Sequence, residues 1–204
     1  MANYYAHPSA EIAEGATIGD GTKVWNQVQI REGAVIGTDC SLGKDVYVDV
    51  GVRVGNRVKV QNGVSIYQGV TIEDDVLVGP HAAFTNDLFP RAFLPEWQVM
   101  PTLVQEGASI GANATVICGV TIGRYAMVSA GAVVASDVPA HCLVIGNPAR
   151  IAARVCRCGH KLRRKEVQGD TEILECGHCH ALVSMATTIS AVEIPVFDRE
   201  DGDA

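Results

Sequence analysis

Four cysteines fall in two tight pairs toward the C-terminal end of the chain, Cys156-Arg157-Cys158 and Cys176-Gly177-His178-Cys179, with seventeen residues between the pairs. Four thiolates so spaced suit tetrahedral zinc in a small ribbon with a closed, structural site. The first pair is one residue shorter than the usual C-x2-C. That leaves open a site in which His160 replaces one cysteine, and a segment that carries disulfides or no metal at all. Catalytic zinc does not suit the cluster, because four protein ligands leave no open position. Elsewhere His81 precedes Asn86 by five residues, and Arg91 follows by five more. An imidazole can take a proton at neutral pH, a carboxamide can orient an amine, and a guanidinium fork can clamp a phosphate or carboxylate.

His81 is carried by a repeat, which Asn86 and Arg91 interrupt and the cysteines follow. From Ala6 to Phe84 an apolar residue returns every sixth position, through Ile12, Ile18, Val24, Ile30, Ile36, Leu42 and onward, and four residues after each comes a second restricted position such as Val28, Ala34, Cys40 or Val46. Small and β-branched residues at both positions of a fixed six-residue period predict an all-β fold, a hexapeptide parallel β-helix. A helix would need a 3.6-residue spacing. Three hexads per coil make residues eighteen apart stack. Trp25, Gly43, Gln61 and Gly79 then share one corner, and Arg31, Asp49, Tyr67 and Thr85 share the next. The face between them presents Asn26, Gln27, Gln29, Lys44, Asp45, Tyr47, Asn62, Ser65 and His81. Trp25, Arg31, Gln61 and Tyr67 stand where glycine is the usual turn residue, and such departures point to function.

The period breaks after Phe84 and resumes at Val104, so residues 85–103 form a long loop with three prolines and much of the aromatic content, expected to act as a lid. The second run continues through Ile110, Val116, Ile122, Val128 and Val134 to Ala140, with Val138 and Val144 at the second inward position, and closes near Ile145. The expected organisation is a solenoid over 1–150, a Cys-rich zinc-ribbon-like segment over 151–184, and an acidic, mobile tail over 185–204. A short helix is expected at 149–155.

Composition narrows the ligand. Among 204 residues only 5% are aromatic, and the formal net charge is −7, which argues against a nucleic-acid groove and for a small ligand. Met1 to Ala10 is polar and no apolar run reaches membrane-spanning length, so the expected location is the cytoplasm.

The repeat, Lys59-Val60-Gln61-Asn62, Gly79-Pro80-His81 followed by Phe84-Thr85-Asn86-Asp87, Pro90-Arg91, Gly111-Ala112-Asn113-Ala114 and Gly146-Asn147-Pro148-Ala149 together resemble left-handed β-helix acyltransferases. The likeness spans nearly all of residues 6–150 and is closest to enzymes that N-acetylate 3-amino sugars carried on UDP or dTDP, in the making of a surface polysaccharide or a secreted metabolite. The resemblance implies a homotrimer with active sites between subunits, acetyl-CoA along the later coils and the nucleotide-linked amino sugar near the earlier ones. Carried over by position, Asn86 would contact the sugar amine; His81, at an outward position five residues before it, is the second catalytic candidate. Trp25, Asn26, Arg31, Lys59, Gln61, Asn62, Tyr67, Asp87 and Arg91 become contacts for the sugar nucleotide. Gly111, Ala112, Asn113, Ser129, Ala130 and Gly131 would pass the pantetheine arm, and Asn147, Pro148 and Arg150 would lie near the adenine. One departure stands out: Trp25 is followed by Asn26-Gln27-Val28-Gln29, where a histidine-containing segment would be looked for.

Two other classes compete. A γ-class carbonic anhydrase needs three converging histidines, and only His81 lies well inside the repeat, with His7 and His141 near its ends. A non-catalytic scaffold with the ribbon as a recognition module would not bind acetyl-CoA.

Overall fold

Residues 3–93 and 98–187 are described here from a computed structural model of the chain. Each hexad folds as a strand of two or three residues followed by a turn, and three hexads make one coil of a left-handed parallel β-helix. Lys23 pairs with Ser41, Ser41 with Lys59 and Lys59 with Leu77, so the coils repeat in steps of 18. One column of strands, from Tyr5–Ala6 to Cys142–Ile145, forms the first face. A second runs from Glu11–Ile12 to Val133–Val134, and a third from Thr17–Ile18 to Thr121–Ile122. The interior is what the period requires: Val24, Val28, Leu42, Val58, Ile66 and Val78 are buried almost completely. With only two inward positions per hexad, β-branched side chains fill the prism in few rotamers.

The turns keep their amides satisfied by stacking. His81 N–H donates to Asn62 O at 2.9 Å, and Asn113 N–H to Pro80 O at 2.9 Å. At the corner between the third and first faces, side chains do the same. Thr38 N–H donates to Asn56 Oδ1 at 2.9 Å and Asn56 N–H to Asp74 Oδ1 at 2.8 Å. The Asn56 amide holds the Asp74 carboxyl below the usual carboxylate range, and Arg57 does the same for Asp75. Both contributions are present above the unfolded carboxylate pKa and are lost as the pH falls through the lowered folded values.

The long loop leaves this register intact. Leu77 pairs with Ser109 and Ala83 with Thr115, steps of 32, so 14 residues beyond the regular 18 are extruded between Phe84 and Thr102. Its base is pinned by Met100 N–H to Asn86 O at 3.0 Å and Cys118 N–H to Thr85 Oγ1 at 2.9 Å. Phe89 and Phe93 are 63% and 79% exposed. Residues 94–97 of the expected lid lie outside the described residues.

Two expectations fail near the end of the solenoid. Ala140 is not an inward residue. Val138 bridges Ile122, and Val144 pairs with Val128, a step of 16. The Asp137 side chain accepts the Thr121 N–H at 2.7 Å, so this coil closes with two residues fewer. Val144 therefore takes the first inward position and Cys142 the second. Nor is 149–155 helical, since Arg150–Arg154 is a strand antiparallel to Cys142–Ile145. A helix would have left the last strand edge of the first face unpaired, and the antiparallel return satisfies it. A three-stranded antiparallel sheet of Leu162–Gln168, Thr171–Cys176 and Leu182–Ala186 follows. The described residues contain no helix. Most of the expected tail, 188–204, lies outside the described residues.

Truncating a mid-prism residue tests the packing. Ile66→Ala should cost about 2–5 kcal/mol, read as a lower thermal unfolding midpoint with unchanged coil geometry.

Candidate active site and thiolate centre

The corner between the first and second faces gathers the chemistry. Trp25, Gly43, Gln61, Gly79, Gly111 and Ser129 follow one another along it, because each sits at the end of a first-face strand. His81 lies two residues past Gly79, in the left-handed region at φ 58°, as do Asn113 at 56° and Gly131 at 70° above it. The three stack through Asn113 N–H to Pro80 O and Gly131 N–H to Ala112 O at 2.8 Å. The imidazole of His81 lies over Gly63 of the preceding coil: a Cβ added there would sit 2.4 Å from His81 Nδ1. Glycine is thus required beneath the ring, both for space and for its own φ of 67°. His81 is exposed, and its ring nitrogens have no hydrogen-bond partner among the described residues. It is free to meet a ligand.

The expected cofactor residues lie together. Gly111 is pressed against the coil above, where an added Cβ would meet Ala130 N at 2.3 Å, so the backbones of 111–113 and 129–131 run in close contact. The 146–149 segment closes over the top of the second face, with Val133 N–H donating to Gly146 O and Ala149 N–H to Val133 O. Arg150 donates to Ala149 O at 2.9 Å. These groups form one continuous edge of small residues at the C-terminal end of the prism.

The expected sugar-nucleotide residues divide. Trp25 turns toward the first face, where its Nε1–H donates to Ser41 Oγ at 3.3 Å and its ring packs edge-on against Tyr5. Lys59 projects from that face too. Asn26 contacts His7 Nε2 at 3.3 Å, and Asn62 Oδ1 accepts the Lys44 N–H at 2.9 Å. Gln61 is exposed at the same corner.

Arg31 and Tyr67 belong to the next corner, with Asn86, Asp87 and Arg91 in the loop that leaves it. There Arg31 Nη1–H donates to Tyr47 OH at 3.4 Å, Tyr47 OH to Asp49 Oδ1 at 3.1 Å, and the Tyr47 and Tyr67 rings lie 5.7 Å apart. Burial pushes the Tyr47 phenol up, so it stays a donor. Below them Glu11, Gln29, Arg31 and Glu32 line an open groove of about 660 Å³. No motif marked Tyr47 or Asp49 as site residues, although the stacking arithmetic already set them beside Arg31 and Tyr67. Asp87 Oδ1 accepts the Phe89 N–H at 2.9 Å and Arg91 donates to Pro90 O at 2.8 Å, both within the loop. His81 and Asn86 thus stand at opposite ends of the Ala83–Phe84 strand, on different corners.

The four C-terminal thiols converge. Cys156 Sγ lies 3.5 Å from Cys179 Sγ and Cys158 Sγ 3.5 Å from Cys176 Sγ, with all four sulfurs within 4.8 Å of one another. None is in a disulfide. A tetrahedron with metal–sulfur bonds of about 2.3 Å has edges of about 3.8 Å, which these separations match. Each pair forms a tight knuckle: Gly159 N–H donates to Cys156 O at 2.8 Å and His180 N–H to Cys176 O at 3.0 Å. The Cys179 and His178 amides, aimed at Cys176 Sγ, hold its pKa down to about 6, while burial pushes the Cys156 thiol up. His160 Nδ1 sits 3.5 Å from Cys158 Sγ, as a neighbour of that thiol and outside the four-sulfur group.

Comparison with known proteins agrees with this architecture. Residues 33–68 match the hexapeptide repeat of succinyl-transferase, and residues 101–136 match the bacterial transferase hexapeptide of six repeats. The chain is 43% identical over 173 residues to the dTDP-3-amino-3,6-dideoxy-alpha-D-galactopyranose 3-N-acetyltransferase of Aneurinibacillus thermoaerophilus, covering 85% of this chain and 88% of that protein. It is 45% identical to a Staphylococcus aureus 2,3,4,5-tetrahydropyridine-2,6-dicarboxylate N-acetyltransferase, over 51 residues that cover 25% of this chain and 21% of that one. Among solved structures, a histidine-to-alanine mutant of the GDP-perosamine N-acetyltransferase of Caulobacter crescentus, in complex with CoA and GDP-perosamine, superposes with a TM-score of 0.52 at 25% identity. That match covers 74% of this chain and 57% of that one. By its repeat, its prism and its 43% identity over most of its length, the chain belongs to the hexapeptide-repeat acetyltransferases.

Proposed function

We propose that the chain moves an acetyl group from acetyl-CoA to the amine of an amino sugar linked to UDP or dTDP, in the cytoplasm, as a homotrimer with active sites between subunits. The observation that carries this reading is the stack of His81, Asn113 and Gly131 along one corner of three successive coils. A free imidazole there adjoins an edge of small residues on which a thin thioester arm can lie. Backbone amides along such an edge suit pantetheine, because close approach needs little side chain. The 43%-identical relative supports the acceptor class.

The reaction joins the amine nitrogen to the thioester carbonyl carbon, breaks the carbon–sulfur bond, and delivers the amine's surplus proton to the departing CoA sulfur. Alignment of the two partners supplies much of the acceleration, about 7–11 kcal/mol in well-aligned cases. The neutral amine attacks; His81 takes the proton its nitrogen sheds as the carbon–nitrogen bond forms and returns it to the departing thiolate. Asn86 orients the amine through its side-chain oxygen. Because His81 and Asn86 stand on different corners of one chain, a trimer that sets one subunit's corner against its neighbour's accounts for the use of both. Cys156, Cys158, Cys176 and Cys179 hold one zinc ion, whose four protein ligands assign it to structure rather than to acetyl transfer.

Thiol release from acetyl-CoA, followed against a panel of nucleotide-linked amino sugars, tests the activity; failure of acetyl-CoA to bind in a calorimetric titration would leave the scaffold reading. His81→Ala should lower kcat roughly 100- to 10,000-fold with little change in KM, and should abolish the histidine limb of the kcat/KM pH profile. A loss under about tenfold with the limb retained, alongside a more damaging Asn86→Ala, shifts the mechanism to alignment alone. Gly63→Ala should lift the imidazole from its seat and lower kcat while acetyl-CoA affinity stays unchanged. A monomer in light scattering that retains full activity would remove the trimer.

A further inference from the structure

Beyond the thiolate cluster itself, its surroundings assign it a task in the solenoid. A stacked coil presents its last strand edges and last inward side chains to solvent unless something covers them. Here the first face ends in the antiparallel return of Arg150–Arg154, and that return is fastened from two directions. His141, in the last coil, accepts the Val155 N–H at 2.8 Å through its backbone oxygen and donates Nδ1–H to Val155 O at 2.9 Å through its ring. Arg154 carries the second fastening. Its guanidinium reaches Cys142 Sγ at 3.2 Å in the prism, and Ala186 O at 3.3 Å and Glu172 Oε1 at 3.6 Å in the three-stranded sheet. Glu172 is 5% exposed, and its other oxygen accepts Arg164 Nε–H at 2.9 Å.

The three-stranded sheet has little to hold it together by itself. Among the described residues after Val155, the buried side chains are Cys156, Glu172, Leu174 and Cys176. One leucine and one ion-paired carboxylate do not make a hydrophobic core, and segments of this size need a staple. The buried cysteines provide it, and Cys176 lies on the Thr171–Cys176 strand that also carries Glu172, on the same face.

We infer that a zinc ion bound by Cys156, Cys158, Cys176 and Cys179 is the clasp that caps the C-terminal end of the prism: it fixes the Thr171–Cys176 strand, that strand holds Glu172 against Arg154, and Arg154 pins the return strand over the last coil. This rests on the metal reading of the four thiols and is independent of the acetyl-transfer reading. Metal loss frees the strand, withdraws the carboxylate, and leaves the Arg154 guanidinium half-enclosed beside Cys142 without a counter-charge. A buried pair broken from one side is strongly unfavourable. The return strand then detaches, and with it go the covered edge of Cys142–Ile145 and the 146–149 segment between the two strands.

The test uses the full chain without cofactor. Elemental analysis should give about one zinc per chain, and hydrogen exchange is then compared before and after metal removal by a strong chelator. Exchange at residues 142–145 and 150–155 should accelerate on the order of tenfold or more together with 156–186, while residues 24–60 stay as protected as before. Glu172→Gln should retain its zinc and reproduce the acceleration at 142–155. Protein without zinc that is equally protected overturns both the metal reading and the cap. Zinc present, with 142–155 unmoved by its removal, overturns the cap and leaves the metal reading standing. Unchanged protection in Glu172→Gln overturns the route through Arg154.

Discussion

The structure depends on one interaction repeated along its length: the pairing of each coil with the coil eighteen residues on, in which a strand amide meets the carbonyl above and an inward aliphatic side chain sits on its counterpart. Neither half suffices alone. Two-residue strands are too short to hold as a sheet, and two inward residues per hexad are too few to form a core within a coil. Stacked, they give continuous ladders on three faces around a column of buried Val, Ile and Ala. Within the coils, the residues of chemical interest gather at and beside the corners, where the ladder tolerates side chains other than glycine.

This explains what the sequence makes legible. A strict period fixes register, and register fixes which residues share a corner, so the stack of His81 under Asn113 and Gly131 follows from counting once the loop is bridged. Failures occur where counting fails. The two-residue contraction at Asp137 depends on a side chain standing in for a backbone acceptor, which no period contains. The Arg150–Arg154 strand reads locally as alanine-rich and helix-compatible, and becomes a strand because an unpaired edge lies beside it. Tyr47 and Asp49 are ordinary residues in the pattern; the hydrogen bonds that run from Arg31 to Tyr47 and from Tyr47 to Asp49 appear only when side-chain directions are known. Gly63 looks like any other turn glycine until the imidazole above it is seen.

The C-terminal segment was legible in its ligands and not in its attachment. Cysteine spacing announces a metal-sized cluster, while the Arg154, Glu172 and Cys142 contacts join residues with no shared motif. Long-range contacts between a periodic and an aperiodic region leave no trace in either pattern.

The two ends of the prism are unequal. At the start, Ala6, Ala10, Ile12 and Ala16 are only partly buried, whereas Cys142 and Val144 at the other end are almost wholly enclosed. Because each coil touches only its neighbours, the chain behaves as a one-dimensional stack whose free energy of opening rises coil by coil. Such a stack unravels directionally, from the thin N-terminal coil inward. The groove lined by Glu11, Gln29 and Arg31 therefore lies in the part of the molecule that opens most readily, and the small-residue edge along Gly111 to Gly131 in the part that opens last. A ligand seated in that groove would stiffen the coils beneath it without touching the far end.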